Sequence, residues 1–250
     1  MEKAPLGVLN LHGFTSSLDC VNGCNPYIEE LGLPYRMPVL RGHMQTPEAL
    51  VGVHWKDWYE DAEAALQDLL TEVQRVVVVG LSMGGLVTLH LAAEHPDDID
   101  AIVLVAAALK LNNPLAPGGA LSFLRPVVGR LVKWWSMPAN YADKELERLD
   151  TNYERAPMDA IITFLEYTEY VRSRLPEVRA PALILQSLKD ETVNPESAQI
   201  IYDNISSTEK SIVWFDESHH EMMRDLERER VFETIQAYLR ERLAKAQAGG

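Results

Sequence analysis

Val76-Val77-Val78-Val79-Gly80-Leu81-Ser82-Met83-Gly84-Gly85 is the stretch on which the rest of this chain turns. Four consecutive valines cannot alternate between core and solvent, so residues 76–79 read as a strand buried on both faces. Residues 86–94 read as a helix, with Leu86, Leu89, Ala92 and Ala93 among its apolar positions. Between strand and helix stands Gly80-x-Ser82-x-Gly84. A serine on a sharp strand-to-helix turn has a strained backbone and needs small neighbours two residues away on either side. Such a turn lifts the hydroxyl out of the sheet, and the helix N-terminus behind it favours developing negative charge. Alone, the same letters also fit an ordinary turn with an uninvolved serine. What separates the two readings is the flanking strand and helix, together with further pieces that the chemistry requires elsewhere.

Working outward, residues 6–11 form a short apolar strand that ends in His12-Gly13-Phe14. Glycine there permits a close backbone approach, and the N–H groups that follow are free to point into a site, although a plain turn has the same letters. Residues 25–31 read as a helix and residues 35–40 as a strand, with Pro38 making that strand either an edge strand or an irregular one. His43 reads as a structural loop histidine, and His90, inside the helix after Ser82, as a residue without a chemical role. Residues 55–73 have helical spacing through Trp58, Ala62, Ala65, Leu66 and Leu69, with acidic residues on a solvated face. A strand at 101–106 completes an alternation of strand and helix that implies a parallel sheet covered on both sides.

From residue 109 to about 175 the rhythm breaks. Asn112-Asn113-Pro114 and Pro117-Gly118-Gly119 are loop signals, and large apolar residues follow, among them Trp134, Trp135, Met137, Ile161, Phe164 and Leu165. This segment reads as a helical cap whose apolar residues mostly pack it on the main domain, a smaller share lining an acyl pocket. Alternation then resumes with a strand at 182–186, a helix at 195–205, a strand at 211–215 and a last helix at 224–246. The Glu and Arg residues of that helix read as a solvated face, and residues 247–250 as a frayed end. The expected fold class is α/β, a mostly parallel sheet flanked by helices, with residues 1–107 and 176–250 as core and 108–175 as an inserted helical cap.

The formal charge of −14 over 250 residues excludes nucleic acid as an expected partner and gives no attraction to anionic membranes. No run of about 18 apolar residues predicts a membrane span. The chain enters its first strand without a charged-then-apolar leader, which leads to the expectation of a cytoplasmic protein. Cys20 and Cys24 have only His12 near them in sequence, too few ligands for a metal. They read as a reduced structural pair, with a local disulfide left open.

In a parallel sheet the loops after the C-terminal strand ends gather at one edge, where sites form. Ser82, Asp190 and His220 each follow an expected strand at that edge, in the order serine, acid, histidine. Together with His12-Gly13-Phe14, Gly80-Leu81-Ser82-Met83-Gly84-Gly85, Asp190-x-x-Val193 and Ser218-x-His220, they make the chain resemble the α/β-hydrolase superfamily, within it the bacterial carboxylesterase and monoacylglycerol lipase-like group. The resemblance departs at two points. The extra strand residues that family members usually have before the His-Gly segment are nearly absent, and the usual Ser-Gly-His is Ser218-His219-His220, so alignment on Ser218 makes His220 the base, ahead of His219, and His219 the stand-in for glycine. Glu191 and Asp216 compete with Asp190 for the acid; Asp190 directly follows a strand and has valine three residues on, as in the family pattern.

The resemblance implies a Ser82–His220–Asp190 triad, with the backbone N–H groups of Phe14 and Met83 as oxyanion hole. It implies a serine carboxylesterase acting through an acyl-enzyme on a small-molecule ester of short to medium acyl chain, with no metal or organic cofactor. The same triad would serve a thioesterase, a cap-bearing peptidase or a perhydrolase, and a non-catalytic ligand-binding member of the fold stands as the alternative from another class. Oligomeric state is not legible from the sequence.

Overall fold

The valine run lies in the middle of the sheet. In the computed structural model, which describes residues 3–249, it belongs to strand β3 (Val73–Leu81). β3 is flanked by β1 (Ala4–Leu11) and β4 (Ile99–Val105), with β2 (Tyr35–Arg36) beyond β1 and β7 (Ala182–Ser187) then β8 (Lys210–Phe215) beyond β4. All pairings in this six-stranded sheet are parallel, with Leu9 opposite Val78, Val78 opposite Ile102 and Leu104 opposite Ile184. Burial on both faces is literal. Val76 and Val78 belong to one core cluster and Val77 and Val79 to another, and all four are fully buried.

The first cluster is covered by α2 (Trp55–Leu69), α3 (Met83–Glu94), α6 (Met158–Arg174) and α7 (Glu196–Asn204), which contribute Trp58, Leu86, Phe164 and Ile201. The second is covered by α1 (Asn25–Glu29) and α8 (Arg228–Gly249), through Ile28, Val231, Ile235 and Leu239. The α/β class and the helix-flanked parallel sheet are as expected.

Several boundaries differ from the expected ones. β1 spans eight residues and begins at Ala4, two residues before the expected start. β2 is only two residues long at the sheet edge, because Pro38 cannot donate to a ladder. Helix α2 stops at Leu69 and Val73 opens β3, because valine prefers the pleated surface to another helical turn. Helix α8 continues through residue 249, so 247–249 are helical and not frayed; residue 250 lies outside the described residues. Nor is its charged face wholly solvated: Arg242 is buried, its Nε donating to Asp100 Oδ2 at 2.7 Å.

Between β4 and β7 the chain leaves the sheet and forms α4 (Arg125–Leu131), β5 (Trp134–Ser136), α5 (Lys144–Glu147), β6 (Arg155–Pro157) and α6. β5 and β6 pair antiparallel as a separate two-stranded sheet, so the insertion is not helical throughout. Trp134 and Trp135 are β-formers, and that is the local signal for it. α6 packs the insertion onto the main layer: Phe164 stacks on Phe14 at 4.9 Å, and Tyr167 stacks on Trp55 of α2 at 4.8 Å.

Candidate active site

Ser82 joins β3 to α3 with φ 54° and ψ −111°, a conformation that costs a side-chain-bearing residue of order 1–3 kcal/mol. Close packing enforces it. A Cβ on Gly80 would run into the Gly84 carbonyl and Thr88 Oγ1, and one on Gly84 into the Leu11 and His12 carbonyls. The Ser82 backbone is tied in place: its N–H donates to Val105 O at 2.9 Å, and its carbonyl accepts from Gly85 at 3.0 Å and Ala108 at 3.1 Å.

His220, after β8, has Nε2 3.1 Å from Ser82 Oγ and Nδ1 2.9 Å from Asp190 Oδ2. Asp190 is buried and accepts from the N–H groups of Thr192 at 2.9 Å and Val193 at 2.8 Å on Oδ1, and from Gln186 Nε2 at 3.2 Å on Oδ2. A carboxylate can only accept, so the neutral imidazole carries its proton on Nδ1 and leaves Nε2 to accept from the Ser82 hydroxyl. Burial disfavours the imidazolium, but the charge and hydrogen bond of Asp190, with the charge of Glu221, outweigh it and raise the His220 pKa to about 8.

The three residues singled out from the sequence are therefore brought together. His219 is turned aside, with Nδ1 3.5 Å from Asn140 Nδ2; Glu191 is exposed and accepts from the same amide at 3.1 Å; Asp216 is exposed. The histidine loop is held by acidic side chains downstream of it. Glu227 Oε2 accepts from the N–H groups of Glu217 at 2.9 Å and Ser218 at 3.0 Å, and Asp225 Oδ2 from that of His219 at 2.8 Å.

Among the described residues, neither the Phe14 nor the Met83 N–H donates a hydrogen bond. Met83 is the first residue of α3, where an N–H has no intrahelical partner. The loop carrying Phe14 is clamped by two buried histidines. His12 Nε2 accepts from Leu40 N at 3.0 Å and its Nδ1 donates to Gly13 O at 2.9 Å; His43 Nε2 accepts from Thr15 N at 3.1 Å and its Nδ1 donates to Leu40 O at 3.0 Å. Burial lowers their pKa values to about 4 and about 3, so both are neutral struts. His43 is thus structural, as its loop position suggested. Cys20 and Cys24 are free and buried, and burial pushes both thiols up to about 12.

Two cavities meet at this point. A narrow one of about 60 Å³, of mixed lining, touches Ser82 and His220 and is bordered also by Asn140, Asp150, Asn152 and Glu221. An apolar one of about 240 Å³ continues under the insertion between Leu111, Trp135, Met137, Ile161 and Phe164. Phe14, Met137 and Phe164 border both. Asn140, Asn152 and Glu221 escaped the sequence reading. Asn140 and Asn152 lie in an irregular segment with no periodicity; Glu221 had a visible signal, a carboxylate directly after the histidine.

A profile of the family described as serine aminopeptidase, S33 matches residues 5–227. The chain is 32% identical over 235 residues to the thermostable monoacylglycerol lipase of Bacillus sp. (strain H-257), covering 93% of this chain and 89% of that one. It is 28% identical to the carboxylesterase of Bacillus subtilis (strain 168), covering 93% and 91%. Among solved structures, a chain from the metagenome-derived lipolytic enzymes LipS and LipT superposes with a TM-score of 0.87 at 28% identity, covering 96% of this chain and 95% of that one. The monoacylglycerol lipase of Paleococcus ferrophilus shares the fold, with a TM-score of 0.75 at 20% identity over 96% of each chain. With its helix-flanked parallel sheet and a family match over nearly its whole length, the chain belongs to the serine aminopeptidase S33 family of α/β-hydrolases.

Proposed function

We propose that this protein hydrolyses carboxylic esters of short to medium acyl chain through an acyl-enzyme on Ser82. The observation that carries this reading is the unbroken hydrogen-bond chain from Ser82 Oγ through His220 to Asp190, at 3.1 and 2.9 Å. His220 Nε2 takes the hydroxyl proton as Oγ attacks the ester carbonyl, and Asp190 stabilises the imidazolium that forms. The unpaired N–H groups of Phe14 and Met83 receive the oxyanion, where losing one donor typically costs about 10²–10³ in turnover. His220 returns the proton to the departing alcohol, and water, activated by the same imidazole, releases the acid.

The apolar cavity of about 240 Å³ beside the nucleophile supports an acyl site. The similarity to a monoacylglycerol lipase and a carboxylesterase supports an oxygen ester as substrate. The test is turnover of p-nitrophenyl esters of graded acyl length, with a thioester and an aminoacyl amide in the same panel. The expected result is a preference for oxygen esters, a rate that falls beyond medium chain length, and loss of turnover in Ser82→Ala. Turnover that survives Ser82→Ala refutes the nucleophile; a faster thioester or amide refutes the ester assignment.

A further inference from the structure

Glu221 has no role in the mechanism above, yet it is buried next to the base. Only 6% of it is exposed, and it lines the narrow cavity that holds Ser82 and His220. Its Oε1 accepts from Asn152 Nδ2 at 3.1 Å, whereas its Oε2 is buried with no hydrogen-bond partner among the described residues. Leaving a buried polar atom unsatisfied costs about 1–3 kcal/mol or more when it is charged, so a packing role alone is a poor account of a glutamate here. The nearby cation is otherwise engaged: Arg224 Nη1 donates to Asp150 Oδ1 at 3.1 Å and Nη2 to Leu149 O at 3.0 Å. The charged and titratable groups that face Glu221 are His220 on its own loop, Asp190 after β7, Asp150 and Tyr141 from the insertion, Arg224 downstream, and Cys20 from beneath the Phe14 loop. Of these, the imidazole is the one group that gains positive charge during the reaction proposed above.

We propose that Glu221 is a positioning residue that acts through His220: its uncompensated buried carboxylate adds to Asp190 in stabilising the imidazolium formed when Ser82 attacks. Asp190 supplies the hydrogen bond and fixes the tautomer; Glu221 supplies a second negative charge without a bond. Burial raises the Glu221 carboxyl to about 7, below the value of about 8 for His220, so the carboxylate is charged where the imidazole gives up its proton. Stronger basicity comes with an alkaline-shifted working range.

The inference rests on the proposed ester hydrolysis, and the experiment separates the two. The variant is Glu221→Gln, which keeps shape and the acceptor for Asn152 but removes the charge. kcat/KM for a p-nitrophenyl ester is followed from pH 5 to 10 in wild type, Glu221→Gln and Ser82→Ala. The expected result is an acid-limb midpoint lower by about half a unit or more in Glu221→Gln, with plateau kcat reduced about two- to tenfold as the base weakens. A structural role would lower kcat and leave the midpoint in place; an unmoved midpoint in a variant that melts like wild type overturns the proposal. If Glu221→Gln does not fold, Asn152→Ala measures the same quantity. It removes the donor to Glu221, favours the neutral carboxyl and shifts the midpoint in the same direction by less, and an unmoved midpoint again overturns the proposal. Absent wild-type turnover, or turnover that persists in Ser82→Ala, sinks the function reading instead.

Discussion

Replacing Asp190 by asparagine should cost far more than the loss of one charge, because of how the carboxylate is wired. Its Oδ1 accepts two backbone N–H groups, from Thr192 at 2.9 Å and Val193 at 2.8 Å. In Asp190→Asn the amide oxygen has to stay on that side, since an NH₂ there would face two donors. The NH₂ group then occupies the position of Oδ2 and points at His220 Nδ1, 2.9 Å away in the wild type. Gln186 resists the change as well: its Nε2 also donates to Ser187 O at 3.2 Å, so an amide flip that let Oε1 accept from the new NH₂ would set that oxygen against a carbonyl. The imidazole cannot adapt without cost: to accept at Nδ1 it must carry its proton on Nε2, the atom that has to receive the Ser82 proton. A wrong tautomer of this kind typically lowers turnover by about 10⁴, roughly 5 kcal/mol in barrier. The midpoint of the acid limb should also fall from about 8 to below the ordinary histidine value, because burial then acts with less opposition. The assay is kcat/KM on a p-nitrophenyl ester across pH, alongside the rate of fluorophosphonate labelling and a thermal melt. A folded Asp190→Asn that keeps more than about a tenth of wild-type activity would refute the tautomer argument.

Two further outcomes concern stability. His220 has a folded pKa of about 8 against 6.5, so its contribution is full below 6.5 and is lost as pH rises through 8, by roughly 2 kcal/mol. His12, His43 and His90 shift the other way, to about 4, 3 and 4, so stability drains as pH falls below 6.5. Glu221, raised to about 7, opposes them over part of that range, one group against three. Urea midpoints from pH 4 to 9 should peak near neutrality and fall steeply on the acid side; a flat acid side would contradict the neutral-strut reading of His12 and His43. Separately, Arg242→Ala leaves the buried Asp100 with only the part-exposed Arg75, 3.5 Å away, and should cost about 1–3 kcal/mol, whereas exposed Arg240→Ala should stay within about 0.5 kcal/mol. Equal urea midpoints for these two variants would dismiss the Asp100–Arg242 pair as an anchor of α8.

The sheet was legible because its strongest signal is cooperative: four valines demand two apolar layers, and the helices that supply them follow in order. Boundaries were not, because Val73 and Pro38 act on a single residue's backbone while periodicity averages over many. The β5–β6 pair was hidden since three-residue strands are too short to show alternation. Ser82, Asp190 and His220 were legible through their order and their places after strands. Asn140 and Asn152 were not, because they work through distances across an irregular segment. Arg242 reads as one more surface cation in a charged helix; its burial depends on the crossing of α8 over β4, which no local pattern encodes.

The histidines make the distinction between type and environment sharpest. His12, His43 and His220 are all buried, and both nitrogens of each ring are hydrogen-bonded. The first two bond to backbone N–H and C=O groups, whose dipoles do not offset the loss of hydration, and their pKa values fall to about 4 and about 3. The third bonds to a carboxylate with another beside it, and its pKa rises to about 8. The gap between His12 and His220 is about four orders of magnitude in proton affinity, some 5 kcal/mol, for the same side chain at comparable burial. Burial alone would silence this base; paired with uncompensated negative charge, the same burial amplifies the field that makes it basic. A low dielectric around Ser82 is therefore useful to the chemistry only because the acids are buried with the imidazole, which is why a search for reactivity in this fold has to follow the carboxylates as closely as the serine.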